Sequence, residues 1–87
     1  EIDNVFTAKA EGFIRDHAAR QQAKPFFVYL ALGAVHVPLT PPANLRGKSK
    51  TGALGDMILW VDQTVGRMTT LLDDLKLAQD TLVIFTS

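Results

Sequence analysis

Ala10, Phe13, Ile14, His17 and Ala18 follow the i, i+3, i+4, i+7, i+8 spacing of one helix face. This predicts a helix over residues 7 to about 21, with Thr7 as its N-cap. Glu11 with Arg15, and Asp16 with Arg20, stand four apart with the acid first, the favourable order for pairs on a solvated face. Lys24-Pro25 ends the pattern, because proline lacks the backbone donor and disfavours helical geometry in the residue before it. Residues 26–32 (FFVYLAL) are apolar on both alternating faces, which predicts a strand buried between two layers; a helix of seven residues after a proline would be short. Residues 33–42 hold three prolines and one histidine and read as an irregular loop, and residues 44–55 are polar and punctuated by Gly47, Gly52 and Gly55.

Helical spacing returns at Leu54, Met57, Ile58, Val61, Val65, Met68, Leu72 and Leu75, predicting a long helix over residues 54–75. Gly66 lies inside it, at a cost of about 1 kcal/mol relative to alanine, and is expected to mark close packing against a neighbour. Asp56 falls in the first turn, where the helix dipole favours an acid; Asp62 is expected to hydrogen-bond a neighbouring loop. Residues 81–86 (TLVIFT) read as a second doubly buried strand. Two such strands joined by a long crossover containing a helix predict an α/β fold: a right-handed parallel βαβ unit with a preceding helix.

Composition adds mainly exclusions. An apolar content of 47% in 87 residues suits a globular chain of one small domain or less. Nine basic and nine acidic residues balance to zero, which gives no pull toward nucleic acid or an anionic membrane. Without cysteine there is neither a disulfide framework nor a thiolate metal site, and the compartment stays unread. The longest apolar stretch, residues 26–35, is about half of the roughly 20 residues a membrane-spanning helix needs. The chain opens without methionine or signal-peptide pattern and stops at Ser87 directly after an apolar run, so truncation at both ends is expected.

In open α/β sheets ligands bind beyond the carboxyl ends of the strands, which puts His36 and Ser87 on the binding side and Lys24 on the other. A histidine there has the chemistry of an acid, a hydrogen-bond donor to an oxyanion or a metal ligand, although a satisfied loop histidine is the plainer reading of composition alone. His17, on a helix flank, has no chemical partner in sight. Gly47-Lys48-Ser49 looks like the end of a phosphate-binding loop, but Pro42 stands where that motif needs glycine. Arg46, Lys48 and Lys50 form a basic cluster that fits either the entrance to an anionic site, with Lys48 as the candidate substrate-binding residue, or a solvated loop. No carboxylate pair, His-x-x-x-His helix or nucleophile elbow is present.

Taken in order, KPFFVYLA at 24–31, VHVP at 35–38, GALGD at 52–56, VDQTVG at 61–66 and DTLVIFTS at 80–87 resemble the central stretch of the sulfatases, the formylglycine-dependent sulfate ester hydrolases of the alkaline phosphatase superfamily. The resemblance covers nearly the whole chain from Thr7 onward. It implies that residues 1–87 are part of a catalytic domain, one piece of a larger sandwich of helices around a mainly parallel sheet. It also implies that His36 is catalytic, giving a hydrogen bond or proton to the ester. Family members carry a formylglycine made from a Cys/Ser-x-Pro/Ala-x-Arg word, absent here, and a calcium ion whose ligands fall outside this stretch; no cofactor or metal is therefore expected within the chain itself. The implied partners are a sulfate ester and the remainder of the catalytic domain, with no nucleic acid and no membrane span, in a secreted, periplasmic or lysosomal setting. Two positions depart from the family pattern: Leu54, often tyrosine, and Lys76, often glycine near the end of the long helix. The alternatives are a phosphodiesterase, phosphonate hydrolase or phosphoglycerol transferase of the same superfamily, or a noncatalytic interaction module.

Overall fold

The computed structural model describes residues 2–20, 24–33 and 41–86. Two helices dominate: α1, Ile2–Arg20, and α2, Ala53–Asp74; single 3₁₀ turns lie at Ala43–Leu45 and Ala78–Asp80. Helix α1 begins five residues before the expected cap, so Thr7 is interior. It is fully buried, and its Oγ1 donates to the Asp3 carbonyl at 2.8 Å, one turn back. A polar side chain inside a helix is tolerated there because its hydroxyl is satisfied by the helix itself. The inner face of α1 runs Asp3, Thr7, Ala10, Ile14 and His17, at least half-buried in every case.

The ends of α2 agree with its periodicity to within one residue, but its inner face does not. Met57, Trp60, Thr64, Leu71 and Leu72 are buried, while Leu54 and Ile58 of the expected stripe are exposed. The helix is apolar over an arc wider than one contact, so its rotation is set by its neighbours. Gly66 is exposed with open space where a Cβ would stand, so the expected close approach does not occur among the described residues. Asp62 is exposed, and among the described residues it makes no hydrogen bond to a loop. Helix α2 closes in a Schellman arrangement: the Leu77 N–H donates to the Leu72 carbonyl at 2.8 Å and the Lys76 N–H to that of Asp73 at 3.0 Å. This geometry puts Lys76 at φ 60°, the conformation that glycine reaches without steric cost.

Two apolar clusters hold the helices. Ile14, Leu71 and Leu72 gather Phe26, Val28, Met68, Leu75 and Leu77; Leu45, Met57 and Trp60 gather Leu59 at the start of α2. Between them Arg67 of α2 bridges to α1. Its Nη2 and Nε donate to the two carboxylate oxygens of Glu11 at 2.7 and 3.3 Å, and its Nη1 to Asn4 Oδ1 at 2.7 Å. Glu11 therefore pairs across helices and not with Arg15, as a bidentate guanidinium fork outcompetes a single i, i+4 contact.

Residues 26–33 and 81–86 carry no strand ladder among the described residues, so the expected parallel βαβ pairing is not formed. The physical reason is that a ladder needs a neighbouring edge, and neither segment has one here. The first is nonetheless extended: positions 26, 28, 30 and 32 are half-buried, while Phe27 and Tyr29 are 87% and 81% exposed. That period of two is a strand with one face covered and the other open. The whole chain exposes 6519 Å², against about 5000 Å² for a compact monomer of 9.5 kDa.

Candidate functional site

Helix α1 runs antiparallel to residues 26–33. At one end the rings of Phe13 and His17 meet Phe26 edge-on, with centroids 6.4 and 5.2 Å apart. At the other end Asp3 Oδ1 accepts the Gly33 N–H at 2.7 Å. The lengths agree: fourteen residues of helix from Asp3 to His17 span about 21 Å, and seven extended residues from Phe26 to Gly33 about 23 Å. Gly33 has little room for a side chain, since a Cβ would come within 3.2 Å of Asp3 Oδ1. Asp3 is 5% exposed. The sequence reading passed over it, though Asp3, Thr7, Ala10 and Ile14 share the spacing of one helix face.

His36 and Ser87, the residues expected on the binding side, lie outside the described residues. Lys24 is exposed near the end of its segment opposite to Gly33. His17 is half-buried against Phe13 and Phe26, a packing role.

Lys48 is exposed in the turn that follows the Ala43–Leu45 helix. That turn is gripped by α2. The Asp56 carboxylate accepts the Gly47 N–H at 2.7 Å, the Ser49 N–H at 3.1 Å and the Ser49 hydroxyl at 2.7 Å. The Ser49 hydroxyl and the two amides favour the charged form and hold Asp56 below its ordinary value of 3.8. Gly55 keeps this clasp closed, because a Cβ there would collide with Ser49 and Thr51. Asp56 is thus more than a dipole partner: it fixes the backbone from which Lys48 projects. Arg46 is tied back by its Nε to the Pro41 carbonyl at 3.3 Å, which separates it from the free basic pair Lys48 and Lys50.

Two shallow clefts open on the surface. One of about 250 Å³ is lined by Glu11, Arg15, Arg67, Thr70, Leu71 and Asp74, and one of about 260 Å³ by Asn4, Pro42, Asn44, Trp60, Gln63 and Arg67. Lys48 lines neither. No three His, Cys, Asp or Glu side chains among the described residues come together in a way that could hold a metal. The described residues therefore do not fit a calcium site. No helix among them is long and apolar enough to cross a membrane.

The sequence model of the Sulfatase family matches residues 1–87. An N-acetylgalactosamine-6-O-sulfatase of Bacteroides thetaiotaomicron is 41% identical over 100% of this chain, which spans 16% of that protein. The N-acetylgalactosamine-6-sulfatase of Sus scrofa is 40% identical over 99% of the chain, again 16% of its own length. Human steryl-sulfatase is 40% identical over 93% of the chain and 13% of its own length. No solved structure gives a significant match. With a family match from the first residue to the last and these identities across nearly the whole chain, the chain belongs to the sulfatase family.

Proposed function

We propose that the complete polypeptide carrying this segment hydrolyses sulfate esters, with a 6-sulfated N-acetylgalactosamine unit as its substrate. The observation that carries this reading is the 41% identity, over the whole chain, to a protein named N-acetylgalactosamine-6-O-sulfatase. Four mammalian relatives at 34–36% identity and one at 40% bear the N-acetylgalactosamine-6-sulfatase name as well, which favours this class over a steryl or simple aryl sulfate. The family likeness also supports an alkaline-phosphatase-like α/β sheet in that polypeptide, with residues 26–33 and 81–86 as two of its strands, and a secreted, periplasmic or lysosomal location.

In this reading a formylglycine and a calcium ion would be held by residues outside this chain, and would supply the nucleophile and a positive charge facing the sulfate. His36 gives a hydrogen bond or proton to the ester oxygen as the S–O bond breaks, stabilising the charge that develops there. Lys48 attracts the anionic substrate from its exposed turn. The test is steady-state hydrolysis by the complete polypeptide of N-acetylgalactosamine 6-sulfate beside an aryl sulfate. Replacement of His36 by alanine should lower kcat by about 10² to 10⁴ with an unchanged thermal melt. A His36→Ala enzyme within about threefold of the parent defeats the assignment of His36; equal kcat/KM on the two esters defeats the substrate class.

A further inference from the structure

We propose that the cleft between the start of α1, the turn at residues 42–44 and α2 binds a single uncharged, hydroxyl-bearing sugar ring. The assignment stands on the lining of the cleft and does not depend on which ester the complete polypeptide cuts.

Three separate stretches build the cleft: Asn4 from α1, Pro42 and Asn44 from the turn, and Trp60, Gln63 and Arg67 from α2. Its volume of about 260 Å³ lies just below the roughly 300–1,000 Å³ of sites for drug-sized ligands, so it takes one ring and not a chain of them. The walls are held before any ligand arrives. Trp60 is 4% exposed and packs with Leu45 and Met57, and the Leu45 N–H donates to the Pro42 carbonyl at 2.9 Å, which ties the turn to that cluster. Arg67 is fixed by its bonds to Glu11 and Asn4. A site formed in advance binds more tightly, because less of it has to be ordered by the ligand.

The polar groups select the ligand. Among the described residues the side-chain amides of Asn44 and Gln63 make no hydrogen bond, and each offers both donor and acceptor. The Asn4 oxygen accepts from Arg67, which leaves its amino group as a donor. Groups that give and accept side by side match hydroxyls, which do the same, while Trp60 and Pro42 supply apolar surface for the C–H face of a ring. An anion is a poorer fit, since both Glu11 oxygens already neutralise the guanidinium in a bidentate pair. A cation is poorer still, because no Asp or Glu lines the cleft. The neighbouring cleft carries Glu11 and Asp74 beside Arg15 and has neither the free amides nor an aromatic floor, so the same ring is not expected there.

The test is a ligand-observed NMR titration of the complete polypeptide with unsulfated N-acetylgalactosamine, beside thermal melts. Saturable binding with a Kd of about 1–10 mM is expected, the range for one ring held by a few neutral hydrogen bonds. A variant combining Asn44→Ala with Gln63→Ala changes two exposed side chains, so its melt should match the parent while its Kd rises at least about tenfold. Inorganic sulfate should not displace the sugar. The proposal is overturned by absence of saturable binding up to about 50 mM. It is equally overturned by a Kd for the double variant within about threefold of the parent, which puts the ring elsewhere, or by displacement with sulfate, which makes the cleft an anion site. Turnover of N-acetylgalactosamine 6-sulfate is measured separately, and none of these outcomes alters its reading.

Discussion

Residues 26–33 and 81–86 are near twins as sequence, each a short apolar run rich in aromatic and β-branched residues, yet the structure treats them differently. Alternate positions of the first are covered by α1 and α2, and its far end is held by Asp3. Among the described residues the second is anchored at its start, where Thr81 Oγ1 donates to the Leu77 carbonyl at 2.7 Å; Leu82 and Ile84 beyond it are 84% and 77% exposed. The difference lies in what precedes each segment. Helix α1 runs back along the first, whereas α2 is turned so that its buried face serves α1 and residues 26–28. An apolar run supplies only the tendency to be covered; a neighbour of suitable direction has to supply the cover.

The largest expected effect bears directly on this contrast. Leu71→Ala removes a side chain from the centre of the main cluster and should cost about 2–5 kcal/mol in urea unfolding of the 87-residue chain. Leu82→Ala in the same chain should change stability by less than about 0.5 kcal/mol, but by about 2–5 kcal/mol in the complete polypeptide if the sheet proposed above covers it. A cost of several kcal/mol for Leu82→Ala in the short chain would show that residues 81–86 are already packed, and the comparison would collapse.

A middle-sized effect concerns the join between α2 and the second segment. Lys76 occupies a left-handed position that the Schellman geometry demands, and a non-glycine residue there is strained. Lys76→Gly should raise stability by about 1 kcal/mol, less the entropy glycine recovers when unfolded. The check is the same unfolding experiment, and destabilisation would mean that the left-handed turn is not populated.

The smallest effect is confined to acid. Because the folded pKa of Asp56 is lowered, its clasp on Gly47 and Ser49 contributes stability that is fully present above its ordinary value of 3.8 and is lost as pH falls through the lower folded value. Thermal melts taken downward from pH 5 should show a fall in the parent that is reduced in Asp56→Asn. Parallel curves for the two proteins would exclude the clasp as the source. The clasp is made entirely within residues 47–56, so the result should be the same in the 87-residue chain and the complete polypeptide.

Much of this was legible locally. The α2 boundaries, the proline break after α1 and the extended character of residues 26–32 all follow from neighbours within a few positions, because helix periodicity and proline geometry act over one or two turns. The family words were equally visible, and the chain's membership followed from them. Thr7 misled because a threonine before an amphipathic run is as much a buried helical hydroxyl as a cap, and only its surroundings choose between the two.

Sequence by itself determined the two helices, though not where α1 begins, the extended run after Pro25 and the family the chain belongs to. Tertiary structure decided which face of α2 turns inward, so that Trp60, Thr64 and Leu71 are buried and Leu54 and Ile58 are not. It also gave Glu11 to Arg67 and brought Asp3 to Gly33. Periodicity specifies that a face exists, but a carboxylate's partner 30 or 56 residues away is chosen by how the helices lie against one another, where direction, burial and hydrogen-bond satisfaction must be met at once.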